Sequence, residues 1–192
     1  GGVGHNTNVY KVFQMIEDRT QAQIAFYDRG LGTGWGKVTG MVTGAGISKN
    51  ILECYQFISD HYQWDDRIFL FGFSRGSYTI RALCGLINNC GIIKRSDAPL
   101  IQAAFDHYKK PGAAYAPSGD KSIKFRKQHS HKSREIKFVG VWDTVGAMGI
   151  PISFLGLFDD KDEFYDTKIG GNVRIARHAL AIDEHRSDFE PT

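Results

Sequence analysis

The sequence predicts an α/β fold, in which a mostly parallel sheet carries helices on both faces. Apolar runs of strand length alternate with segments of helical spacing along the chain. Strands that alternate with helices pair in parallel through right-handed crossovers. The length of 192 residues indicates a single domain, 1–192. The formal net charge of +3 is smaller than the excess of positive charge that is typical of nucleic-acid binding. We therefore expect no nucleic-acid partner.

The predicted elements follow from hydrophobic periodicity. The apolar run 68–71 is continuous, which is typical of a strand buried on both faces. A polar stretch, 109–135, predicts an insertion or a lid-like loop, and its basic part indicates a solvated surface rather than a phosphate site. In chain order we expect a helix over 8–15 capped by Thr7 or Asn6, a β-like run over 23–28, a glycine-rich loop, a helix from about Ser48 to Tyr62, a strand over 68–71, a helix beginning at Arg75, a strand over 136–142 and a helix over 173–186.

Several classes of protein are excluded by composition. No apolar stretch approaches the roughly 18 residues that span a bilayer. The three cysteines, Cys54, Cys84 and Cys90, are odd in number and lie in predicted helices, which argues against a disulfide framework. The chain does not open with a charged and then apolar signal segment, so we expect synthesis in the cytoplasm and any export to proceed without a signal peptide.

The segment Gly72-Phe73-Ser74-Arg75-Gly76 matches the pattern G-x-S-x-G. It lies directly between an apolar strand and an amphipathic helix, the setting of a nucleophile elbow in the α/β-hydrolase fold. Such a turn strains the serine and brings strand and helix close together, so we expect a side chain at Gly72 or Gly76 to clash. The backbone N–H of Arg75 would then donate to an oxyanion. The alternative is a tight turn with an incidental serine.

A serine nucleophile needs a base and a carboxylate, which follow it in the chain order Ser, acid, His in this fold. Asp143 ends the strand 136–142 and is the candidate acid; a loop-capping aspartate is the alternative. His178 and His185 share a predicted helical face with Ile182, which favours a structural role. The glycine-rich loop lacks phosphate-binding patterns, and no Cys/His spacing predicts zinc, so we expect no cofactor and no metal.

Three segments together resemble a family of uncharacterised α/β-hydrolase domains that includes phospholipase effectors of bacterial type VI secretion systems. They are 68–82 around the elbow, 138–146 around Asp143, and 177–186 followed by Phe189; 7–9 and 27–34 also fit. The resemblance implies Ser74 as nucleophile and Asp143 as triad acid. It places the catalytic histidine in a Gly-x-His-Ser-Asp-type segment after residue 192 and a first strand before residue 1, so we expect truncation at both ends.

These observations together predict a serine hydrolase that cleaves carboxylic esters through a Ser-His-Asp triad. The resemblance adds a lipid or phospholipid substrate, a transient contact with a membrane surface and a secretion-system partner. The alternative is a non-catalytic interaction module that keeps the hydrolase-like fold. A histidine supplied after residue 192 distinguishes the two.

Overall fold

The computed structural model describes residues 7–16, 20–29, 44–95, 97–142 and 170–180. Within these ranges the chain forms helices and short strands in alternation. In chain order they are α1 (Asn8–Met15), α2 (Gly44–His61), β1 (Phe69–Phe73), α3 (Arg75–Cys90), α4 (Ala98–Tyr108), a 3-10 turn (Ala113–Tyr115), α5 (Asp120–His129), β2 (Phe138–Trp142) and β3 (Ala176–Ala179).

The three strands form one parallel sheet in the order β1-β2-β3. Phe73, the last residue of β1, pairs with Trp142, the last residue of β2. Val141 of β2 pairs with His178 of β3. The two strands β1 and β2 therefore end level with each other, and the predicted α/β class with parallel strands is confirmed.

Helix α3 packs against β1 and β2, and both α2 and α4 pack against α3. Apolar side chains from these helices and from the sheet share one core. On β1 the buried side chain of Leu70 faces this core, whereas Phe69 is 50% exposed. The prediction that β1 is buried on both faces was therefore wrong for the described residues. The fully buried members of the core include Ile51, Tyr55, Leu83, Leu86, Ile87, Ile92, Ile93 and Val139.

Two sequence-based elements differ in the structure. The helix predicted over 173–186 is wrong where the chain is described, because 176–179 is strand β3 and pairs with β2. Its backbone bonds are nonlocal: the Val139 N–H donates to the Ile175 carbonyl at 2.9 Å. Pairing with a distant strand overrides the local helical spacing, and the spacing of residues in one sequence does not reveal such a partner. The run 23–28 forms no ladder with the described strands.

The polar segment 109–135 contains the 3-10 turn and helix α5. Arg126 ties α5 to its surroundings by donating to the Asn89 carbonyl at 2.6 Å and to the Pro117 carbonyl at 2.8 Å. A lid role for this segment stays a prediction. Helix α4 was not predicted from the sequence, although it begins with a recognisable N-cap: the Asp97 side chain accepts from the Leu100 N–H at 2.9 Å.

Candidate active site

Ser74 occupies the turn between β1 and α3. Its backbone has φ 53° and ψ −119°, a conformation that non-glycine residues rarely adopt. Such geometry costs about 1–3 kcal/mol and persists only where the surroundings impose it. Although Ser74 is the N-cap residue of α3, its side chain makes no capping hydrogen bond. The hydroxyl is partly exposed and is not used to stabilise the helix.

The close approach of strand and helix falls at Gly72. A Cβ added there would lie 2.6 Å from the Gly76 carbonyl oxygen and 2.7 Å from the Ser77 Cα, and both are backbone atoms that cannot rotate away. A Cβ added at Gly76 meets no atom within 4 Å. The expected clash is therefore confirmed at Gly72 and was wrong at Gly76, which faces away from the strand.

This asymmetry predicts opposite effects of two alanine substitutions. Gly72→Ala should lower the free energy of unfolding by about 1–3 kcal/mol or more, because backbone must shift to admit the methyl group. Gly76→Ala, the matched control, should leave stability unchanged or raise it by up to about 1 kcal/mol through helix propensity. Urea titrations of both variants measure the difference. Equal destabilisation would contradict the packing described for the elbow.

Backbone groups around Ser74 favour negative charge. Residues Arg75 and Gly76 are the first two of α3, where N–H groups have no partner within a helix. The aligned peptide dipoles of α3 add a partial positive charge at the same end. An oxyanion formed on a substrate at the Ser74 hydroxyl would therefore find donors and a favourable potential. Ser74 itself is fixed to β2, since its N–H donates to the Trp142 carbonyl at 3.1 Å.

Aromatic side chains lie on the sheet face that points away from the core. Phe73, which directly precedes Ser74, is 38% exposed. Phe71 stacks on Trp142 with ring centroids 6.2 Å apart and contacts Phe138 at 5.7 Å. The elbow is thus bordered by a partly exposed apolar surface.

Comparison with known proteins shows the family to which the chain belongs. A family model described as the catalytic domain of Tle1-like phospholipase effectors of the type VI secretion system (T6SS) matches residues 1–192. The chain belongs to this family. It is also 27% identical over 207 residues to the uncharacterized protein YEL023C of Saccharomyces cerevisiae, a match that covers 96% of this chain and 29% of that protein. The chain thus spans less than a third of that relative's length. No solved structure matches this chain significantly.

Asp143, the predicted acid of this Tle1-like domain, lies outside the described residues. Its neighbour Trp142 is described, and the register places the end of β2 beside the end of β1. Trp142, which precedes the predicted acid, therefore lies next to Phe73, which precedes the predicted nucleophile. The role of Asp143 stays a prediction.

No histidine of the described residues hydrogen-bonds to Ser74. The rings of His61 and His107 are bonded instead to the Phe57 carbonyl and to Ser122. His178 lies on β3, opposite Val141, and not on the helix that its spacing predicts. His185 lies outside the described residues. The structural role predicted for both His178 and His185 is untested.

A serine–histidine contact lies away from the elbow. His107 Nε2 is 2.9 Å from Ser122 Oγ, which is also 3.1 Å from Asn89 Oδ1 and 2.9 Å from the Tyr115 carbonyl oxygen. Those two oxygens can only accept, so the Ser122 proton goes to one of them and His107 donates through Nε2–H. Burial, followed by the charges of nearby basic groups, lowers the pKa of His107. Ser122 is fully buried, so this pair is a structural network that a substrate does not reach.

The cysteines of this family member are poor nucleophiles. Burial raises the pKa of Cys54 and of Cys84 to about 12 each and raises that of Cys90 still further. All three thiols therefore stay protonated near neutral pH, and the thiolate is the reactive form. Among the described residues Ser74 alone combines a partly exposed nucleophile with the strained elbow geometry.

Two cavities in the described part of the chain lie away from the elbow. A cavity of about 210 Å³ is lined by Tyr62, Trp64 and Arg67 among others, and one of about 480 Å³ by Lys94, Leu100 and His129 among others. Neither contains a residue of the elbow. In the described part of the chain, no three His, Cys, Asp or Glu side chains cluster as metal ligands do, and no helix has the length and apolarity to cross a bilayer.

Proposed function

We propose that this chain carries the nucleophile elbow of a serine hydrolase with the α/β-hydrolase fold. The observation that carries the proposal is the backbone of Ser74 at φ 53° and ψ −119°, at the junction of a parallel strand and a helix. The turn presents the hydroxyl above the N-terminus of α3, and Gly72 permits the close contact that the turn requires. Strain of this kind is typical of functional sites, where it is retained in spite of its cost.

The proposed reaction is acyl transfer to Ser74. A histidine of the full-length protein, located after residue 192 and oriented by Asp143, takes the hydroxyl proton while Oγ attacks the ester carbonyl carbon. The carbonyl oxygen becomes an oxyanion and accepts from the Arg75 N–H. Collapse of this intermediate breaks the C–O bond to the alcohol, which receives the proton from the histidine. Water, deprotonated by the same histidine, then attacks the acyl-serine; the carboxylic acid leaves, and the histidine returns the proton to Ser74 Oγ.

A lipid ester is the substrate class that the observations favour. The family is described by its phospholipase effectors, and the elbow is bordered by exposed aromatic surface at Phe73. A phospholipid offers carboxylic esters next to long apolar chains, so it matches both the proposed chemistry and this apolar border. Brief contact with a membrane surface, a secretion-system partner and export without a signal peptide are proposals that rest on family membership alone.

Fatty-acid release from vesicles tests the substrate class. Full-length protein should liberate free fatty acid from phosphatidylcholine–phosphatidylglycerol vesicles. It should release none from vesicles of the matched ether-linked lipids, which lack a carboxylic ester but share the head groups. Mass spectrometry of the products measures both. Release of a phosphorylated head group without fatty acid would replace the ester mechanism by phosphodiester cleavage.

The competing function is a non-catalytic interaction module. This alternative predicts that the full-length protein folds normally but releases no product from either type of vesicle. The described geometry favours catalysis over this alternative, because a module that only binds partners has no need for a strained Ser74 whose hydroxyl makes no capping bond.

A further inference from the structure

Ser77 lies one helical turn beyond Ser74 and is fully buried. Its hydroxyl donates to the carbonyl oxygen of Trp142 at 3.0 Å, a contact between residues 65 positions apart in the chain. The Ser74 N–H donates to the same oxygen at 3.1 Å. A carbonyl oxygen has two lone pairs, so both bonds can form at once. The carbonyl oxygen of Trp142, at the end of β2, therefore accepts two hydrogen bonds, one from Ser74 in the elbow and one from Ser77 in α3.

The direction of the Ser77 hydroxyl is unusual for a helix. Serine within a helix commonly bonds back to a carbonyl three or four positions earlier in the same helix. Ser77 instead reaches across to another strand, although the core around it is mostly apolar. Burying a hydroxyl without a partner is costly, so the bond to Trp142 fixes the separation of α3 and β2 at this point.

We propose that Ser77 is a positioning residue that fixes the end of β2 against the nucleophile elbow. Asp143, the predicted acid, follows Trp142 directly in the sequence, and the carbonyl that Ser77 and Ser74 hold belongs to the last described residue before it. Ser77 thereby sets where the chain leaves β2 relative to Ser74. The inference rests on the proposed function, because positioning matters only if these residues act together.

Substitution of Ser77 in the full-length protein tests this role. Ser77→Ala should lower kcat for ester hydrolysis on the order of 10- to 100-fold, because small misplacements of reacting groups have effects of that size. KM should change little, since Ser77 is buried and does not reach substrate. The rate of labelling by a fluorophosphonate probe should fall in parallel. Ser77→Cys is nearly isosteric but a weak donor, so it should retain the fold and show most of the same loss.

Ser59→Ala is the matched control. Ser59 is also a buried helical serine, but its Oγ has no hydrogen-bond partner among the described residues. Its loss should leave kcat, KM and labelling rate unchanged. Assays are run well below the melting temperature of every variant.

The outcomes separate the positioning role from the proposed function. If Ser77→Ala and Ser77→Cys both keep kcat within twofold of wild type while Ser74→Ala is inactive, only the positioning role is overturned. If Ser74→Ala keeps its activity, the proposed function fails whatever Ser77 does. If Ser77→Ala does not fold, the kcat of Ser77→Cys decides. A rise in KM at constant kcat also overturns the positioning role, because it places Ser77 in substrate binding.

Discussion

Ser74→Ala in the full-length protein should abolish labelling by a fluorophosphonate probe and lower ester turnover on the order of 10⁶-fold. That loss corresponds to ~8 kcal/mol of activation free energy, as removal of a serine nucleophile produces in serine proteases. Alanine keeps the backbone and the small size of the side chain and removes only the oxygen. Labelling of wild type and variant to the same extent would remove Ser74 from the mechanism.

A glycine substitution at the same position provides an independent stability test. Ser74→Gly should be as inactive as Ser74→Ala, but glycine adopts φ 53° and ψ −119° without the penalty that a Cβ carries. The free energy of unfolding of Ser74→Gly should therefore exceed that of Ser74→Ala by about 1 kcal/mol, after allowance for the larger entropy of glycine in the unfolded chain. Urea titration of the two variants measures this difference in the free energy of unfolding. A less stable glycine variant would show that the turn is not strained.

The second large effect is expected from Asp143→Asn. An asparagine keeps the size of the side chain but cannot hold the histidine in the tautomer that accepts the Ser74 proton. In serine proteases the corresponding change lowers turnover about 10⁴-fold, or roughly 5 kcal/mol. The fold should persist, because one oxygen is exchanged for one nitrogen. Hydrolysis of p-nitrophenyl esters by the full-length protein measures the loss.

The alternative role for Asp143 predicts different effects on stability and on turnover. A loop-capping aspartate would cost about 1 kcal/mol of stability and leave turnover nearly intact. Melting temperature and hydrolysis measured on one preparation therefore distinguish the two roles. A variant that melts lower and hydrolyses at the wild-type rate would move the search for the acid to three aspartates that follow in the sequence, Asp159, Asp160 and Asp162.

Much of the elbow could be predicted because its signals are local. The apolar run before Gly72, the motif and the helical spacing after Arg75 lie within a few residues of one another, and each is interpretable by itself. The structure confirms strand β1 and a helix that begins at Arg75. The cap at Thr7 is confirmed as well, since its side chain accepts from the Tyr10 N–H. The predicted family is confirmed by the family model, which matches residues 1–192.

The errors arose where a distant partner decides the structure. The helical spacing around His178 gave way to pairing with β2, which lies more than thirty residues away in the chain. The run 23–28 has strand-like composition but no ladder with the described strands. Propensity is a weak prior beside such tertiary contacts.

The sequence by itself determined the parallel α/β class, the strand-turn-helix arrangement around Ser74 and the helices that precede and follow β1 in the chain, because these depend on periodicity and on one short motif. Only the tertiary structure decided which glycine is indispensable: Gly72 meets backbone of α3 and Gly76 meets nothing. It alone revealed the bond from Ser77 to Trp142, since no pattern relates residues 65 positions apart. Close packing and nonlocal hydrogen bonds are properties of the folded chain, and they hold the site together.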